Sequence, residues 1–157
     1  MPSGTDLDLR FREAKVSDLA AIVALLADDP LGQSRENAGT PINPKYLDAF
    51  AAMDRDINQL LAVVELAGDI VGCLQLSFIP GLSRLGAWRG QIESVRISSA
   101  HRGLGLGHTM FTWAIEQCRA RGCELVQLTT DKKRPDALRF YESLGFVASH
   151  DGMKLAL

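Results

Sequence analysis

Between positions 97 and 108 the chain reads Ile-Ser-Ser-Ala-His-Arg-Gly-Leu-Gly-Leu-Gly-His, and no other stretch restricts the fold so tightly. An extended segment, Gln91 to Ser98, enters this turn. An amphipathic helix leaves it, with Leu106, Met110, Trp113, Ala114 and Cys118 on one stripe. Arg121-Gly122 closes that helix, and Glu124 to Thr130 reads as a further strand. Strand, helix and strand in this span demand a parallel pair joined by a crossover. The alternate glycines 103, 105 and 107 free the backbone for positive φ and let N–H groups approach a ligand. The helix start then favours phosphate, and Arg102 adds a cationic fork. A Gly-rich turn without a ligand is the competing reading of the same residues.

Two common phosphate patterns fail here. The Walker pattern needs Lys-Ser/Thr after its last Gly, where His108-Thr109 stands. The dinucleotide fingerprint begun at Gly103 needs a glycine at the His108 position.

The flanking elements follow with short connections. Leu7 to Glu13 is a strand. Ser17 caps a helix carrying Leu19, Ile22, Val23 and Leu26 on one face. After the polar stretch from Asp28 to Pro44, Asn43-Pro44 opens a second helix with Leu47, Phe50, Met53 and Ile57 facing inward. Gln59 to Leu66 and Ile70 to Ile79 form a hairpin about Gly68-Asp69, with Ile70, Gly72, Leu74, Leu76 and Phe78 on one face. A loop from Gly81 to Gly90 leads into the central strand. Pro135 to Leu144 is a last helix closed by Gly145, and Phe146 to Leu157 supplies one or two terminal strands. Hairpins before the turn and a crossover after it make the fold α+β. The sheet is mixed and mostly antiparallel, and about four helices flank it. It is not a doubly wound nucleotide fold.

With 157 residues the chain reads as one domain, 1–157, large enough to fold without a metal or disulfide staple. Seventeen basic and nineteen acidic side chains leave a net charge of −2, which disfavours a duplex nucleic-acid surface. Cys73, Cys118 and Cys123 form no ligand-like pattern with the histidines, so no metal site is expected. The N-terminal residues lack a basic leader with an apolar core, and the longest apolar run, Leu19 to Ala27, is far short of a membrane span. A cytoplasmic protein with no membrane partner is the expectation.

Arg102-Gly103-Leu104-Gly105-Leu106-Gly107 matches RxxGxG/A, and Ala137-Leu138-Arg139-Phe140-Tyr141-Glu142-Ser143-Leu144-Gly145-Phe146 matches A-x-x-FY-x-x-x-GF. With Ile92 to Ile97 before them, these segments resemble the GNAT (general control non-repressible related) N-acetyltransferase superfamily. Arg134 stands where many members carry Asn.

The resemblance implies acetyl transfer from acetyl-CoA to an amine acceptor, by direct attack in a ternary complex. It implies a central strand, Gln91 to Ser98, splayed from its parallel neighbour so that pantetheine lies between them. Val95 and Ile97 would pair with the pantetheine amides. Arg102, Gly103, Leu104, Gly105, Leu106, Gly107 and His108 would hold the diphosphate, with Arg134 and Phe140 also at the cofactor. Tyr141 would be the general acid, since a phenol with pKa near about 10 stays protonated at neutral pH. The residue pattern alone favours a buried helix tyrosine, and it is the motif that points to the acid role.

Glu93 is the candidate base, through water. Alternation places it on the face of Val95 and Ile97, where desolvation would raise its pKa. A bulge would move it to the other face, and a solvated strand position or an ion pair with Arg96 is the competing role. Lys132, Lys133 and Arg134 either contact the nucleotide or form a solvated loop. Gln33, Arg35, Glu36, Arg84 and Trp88 lie in loops suited to acceptor recognition, and Trp88 equally suits a homodimer contact. A non-catalytic acyl-CoA-binding or sensing module is the alternative to an enzyme.

Overall fold

The computed structural model describes residues 8–157. Leu7, expected to open the first strand, lies outside them. Five strands form one sheet in chain order: β1 (Leu9–Glu13), β2 (Gln59–Leu66), β3 (Asp69–Ile79), β4 (Trp88–Ile97) and β5 (Cys123–Gln127). The first four pair antiparallel, and β4 pairs with β5 in parallel. The helices are α1 (Leu19–Ala27), α2 (Pro44–Arg55), α3 (Leu106–Ala120) and α4 (Pro135–Ser143). This is the mixed, mostly antiparallel α+β sheet with one parallel pair and four helices that the element order requires.

Alternation along the strands divides the core. Ala62, Val64, Leu74, Leu76 and Ile92 pack with Met110, Phe111, Ala114 and Cys118 of α3 on one face. Leu19, Ile22 and Leu25 of α1 pack with Val63 and Cys73 on the other. Gly90 sits where β4 crosses α3, and a Cβ there would lie 2.3 Å from Cys118 Sγ. Only a residue without a side chain lets strand and helix approach so closely.

Several local expectations change. Ser17 does not cap α1. It lies within a 3₁₀ turn, Val16–Asp18, that feeds directly into the helix. The hairpin turn is Ala67-Gly68, both at positive φ, so the strand begins one residue earlier than expected. A register shift opposite Val64/Glu65 sends Ile70 to the α1 face, away from Leu74 and Leu76. Asn43 does cap α2, accepting from Lys45 N–H. Yet α2 ends at Arg55, so Ile57 falls beyond it and is exposed, and no α2 residue is fully buried.

The terminal strands expected over Phe146–Leu157 are absent. That segment forms no ladder, and Val147, Met153, Leu155 and Leu157 are exposed. Their alternation is strand-like, but alternation alone provides no partner edge.

Arg12 ties β1 to the start of α1, donating to both Asp18 carboxylate oxygens (2.7 and 3.0 Å) and to Glu65 (2.8 Å). The Arg12 hydrogen bonds lower the Asp18 carboxyl below its ordinary value, outweighing burial, with help from Lys15 N–H. Asp18 therefore stabilises the fold above its unfolded pKa, and that contribution disappears as pH falls through the lower folded value. Asp18→Ala should cost about 2–3 kcal/mol in urea unfolding at pH 7 and much less at pH 2.

Candidate active site

The parallel pair diverges. Contacts between β4 and β5 run from Trp88↔Cys123 to Gln91↔Gln127 and stop, while β4 continues to Ile97. On its other side β4 stays paired with β3 up to Gly72↔Ile97. Ser98 N–H donates to Val71 C=O at 2.8 Å, toward β3. Strand alternation therefore turns the N–H and C=O of Val95 and Ile97 toward the open side. Two arginines cover that edge: Arg96 Nη1 donates to Val95 C=O (3.0 Å) and Arg102 Nε to Ile97 C=O (3.3 Å).

The glycine turn lies at the end of this open edge. Gly103 and Gly105 take φ of 80° and 78°, with open space where a Cβ would project. Gly105 is the left-handed N-cap of α3, so the first N–H groups of the helix face outward without a side-chain cap. Leu104 is exposed, whereas Leu106 is buried in the core and offers only its backbone. Gly107 takes no positive φ, and its α-carbon faces the Phe140 ring. Arg102 is half exposed and reaches back to Asp28 C=O at 2.9 Å. His108 lines an outer groove with Thr112, Glu116 and Ser143, between α3 and the end of α4.

Ser94 has φ of 54°, and the β3–β4 register shifts between Cys73 and Gln75. This bulge separates Glu93 from Val95 and Ile97, which pack with Ile92 on the α3 face. Glu93 instead lies opposite Gln75, exposed, accepting from Gln91 Nε2 at 3.4 Å. The expected desolvation of Glu93 is overturned. It is one of a row of polar groups across the sheet. Gln59 accepts from Gln75 and Ser77, and Gln91 accepts from Gln127. Arg96 does not pair with Glu93. Its partner is Asp29.

Tyr141 projects from α4 into an aromatic cluster with Phe111, Phe140 and Phe146, at ring separations of 5.4–6.1 Å. Burial raises its phenol above the ordinary value near 10, against an opposing pull from Arg134 and Arg96. The group is thus held neutral and able to donate a proton. Arg134 reaches Asp29 Oδ2 at 2.9 Å, while Lys132 and Lys133 stay exposed. Burial pushes the Cys73 thiol up to about 12 and Cys118 up to about 11, so neither is a thiolate nucleophile at neutral pH.

Asp28 and Asp29 are the site residues that sequence reasoning missed. They follow α1 directly, and their adjacency before Pro30 was the only signal. Their partners Ser99, Arg102, Arg96 and Arg134 lie far along the chain. The recognition loops are less convergent. Arg84 is exposed in a left-handed turn, Trp88 belongs to β4, and Glu36 accepts from the Tyr46 hydroxyl. Among the described residues, no three His, Cys, Asp or Glu side chains are placed to hold a metal ion, and no helix is long and apolar enough to cross a membrane.

A sheet opened on one side of β4, with a glycine turn at that strand's end, is the arrangement that the resemblance to the acetyltransferases implies. The sequence model of the Acetyltransferase (GNAT) family matches residues 21–146, and the chain belongs to that family. It is 35% identical over 107 residues to an aminoalkylphosphonate N-acetyltransferase from Salmonella typhimurium, covering 67% of this chain and 68% of that one. A Bacillus halodurans crystal structure described as a transcriptional regulator superposes with a TM-score of 0.92 and 50% identity, over 95% of this chain and 99% of that one. A Trypanosoma brucei acetyltransferase superposes at 0.76 with 33% identity, over 96% and 100% of the two chains.

Proposed function

We propose that the protein transfers an acetyl group from acetyl-CoA to a primary amine by direct attack in a ternary complex. The observation that carries this reading is the unpaired β4 edge at Val95 and Ile97, running into the left-handed glycines 103 and 105. An extended pantetheine fits a strand edge, and a diphosphate fits outward N–H groups at a helix start. To receive pantetheine, Val95 C=O and Ile97 C=O exchange their arginine donors for its amides, while the N–H groups of residues 103–108 take the diphosphate. A backbone N–H of β4 faces the thioester oxygen and stabilises the charge that develops there.

The acceptor's amine attacks the carbonyl carbon, forming C–N as C–S breaks. Glu93 takes the amine proton through a water, and the Tyr141 hydroxyl protonates the departing thiolate. The exposed position of Glu93 suits a relay through solvent. The amine substrate named for the Salmonella relative supports an amine acceptor.

The second reading is a non-catalytic acyl-CoA sensor. It is favoured by the name of the Bacillus relative, which this chain matches along 99% of its length. Thiol release from acetyl-CoA with an amine panel separates the two. The enzyme shows amine-dependent release, and the sensor binds acetyl-CoA with no release above the amine-free rate.

A further inference from the structure

Where α1 ends, Asp29 meets two arginines from distant elements. Its Oδ2 lies 3.2 Å from Arg96 Nε and 2.9 Å from Arg134 Nη2, and its Oδ1 accepts from Gly32 N–H. Two guanidinium groups share one carboxylate, so the cluster carries +2 − 1 = +1. The neighbouring acid does not restore the balance. Asp28 is taken up by Ser99 N–H and Arg102. Nor does Glu93, which is exposed beside Gln91.

Arg96 is also under-bonded. Its side chain is 18% exposed and its Nε is buried, yet Nε makes no hydrogen bond because Asp29 lies off its axis. Nε thus keeps an ion pair with Asp29 without a well-aligned hydrogen bond, and an oxyanion at the cluster would offset its excess positive charge. The cluster lies beside the reaction centre. Arg96 Nη1 rests on Val95 C=O, and the charges of both arginines reach Tyr141.

We propose that Arg96, with Arg134 held beside it by Asp29, forms an oxyanion subsite selecting acceptors that carry a carboxylate, phosphate or phosphonate group near the amine. This rests on the acetyltransferase reading above. The anion anchors one end of the acceptor on Arg96, and the short spacer leaves the amine at the β4 opening. The donor's diphosphate is a separate claimant with its own partners, Arg102 and the turn's N–H groups. Arg96 lies on the α1 side of β4, away from the face of Ile97.

The test uses paired acceptors differing only in the acid: β-alanine against β-alaninamide, and phosphoethanolamine against ethanolamine, followed by thiol release. The parent chain should prefer the acid-bearing member of each pair at least tenfold in kcat/KM. Arg96→Gln should bring both ratios within twofold by raising acceptor KM more than it changes acetyl-CoA KM. Arg134→Gln, at a partly exposed side chain, provides the same readout if Arg96→Gln does not fold, and should reduce the ratios several-fold.

Ratios near one in the parent, or ratios unmoved by the substitutions, overturn the subsite while the transferase reading stands. A larger change in acetyl-CoA KM than in acceptor KM assigns Arg96 to the donor and also overturns it. No release with any of the four amines, and no heat of acetyl-CoA binding, overturns both readings.

Discussion

Tyr141→Phe lowers turnover by roughly 10²–10⁴-fold, the usual contribution of a positioned acid, with acetyl-CoA affinity nearly unchanged. The ring keeps its contacts with Phe111, Phe140 and Phe146, so packing is preserved and only the hydroxyl is lost. The leaving thiolate then departs without a proton donor. A purely structural tyrosine predicts the opposite pattern: a small stability change and an unaltered rate. The pH profile adds an independent check. The acid must be protonated to act, and burial holds the phenol above its ordinary value. The wild-type rate should therefore show no loss from this group at neutral pH, and a fall only as pH rises through the raised pKa. Steady-state thiol release across pH, with acetyl-CoA binding by calorimetry, measures both.

Gly105→Val should weaken acetyl-CoA binding at least 100-fold while leaving the domain folded. Its φ of 78° is forbidding for a β-branched residue, at roughly 1–2 kcal/mol of strain. Nothing lies within 4 Å of the added Cβ, so no packing is lost, and a domain with about 5–15 kcal/mol of stability survives. Relief of the strain comes by reorienting the backbone at the N-cap of α3, which turns the first N–H groups away from the diphosphate. Gly107→Ala is the control. Its Cβ meets the Phe140 and Ile97 side chains at 3.4–3.8 Å, so binding should stay within a few-fold of wild type. Equal loss in both variants would show that bulk, not backbone conformation, governs the turn. Undiminished binding in Gly105→Val would remove the turn from the donor site.

Features repeated at short range were legible in the sequence. The crossover around the glycine turn, the α2 cap at Asn43 and the two-faced hairpin follow from periodicity and turn chemistry, which act over a few residues. The open-edge positions Val95 and Ile97 were implied only by the family resemblance, because a parallel pairing of β4 with β5 does not say where the two strands part.

Only the tertiary structure decided the rest. The bulge at Ser94 moved Glu93 to the opposite face, because one left-handed residue resets an alternation that sequence spacing assumes to be unbroken. The segment from Phe146 kept its strand-like pattern but formed no ladder, since a strand needs a partner edge that its own residues cannot provide. Asp29 could not be linked to Arg96 and Arg134 from the sequence, since they lie 67 and 105 positions away. Charge pairing of that kind depends on where the folded sheet brings side chains together, and a linear pattern carries no record of it.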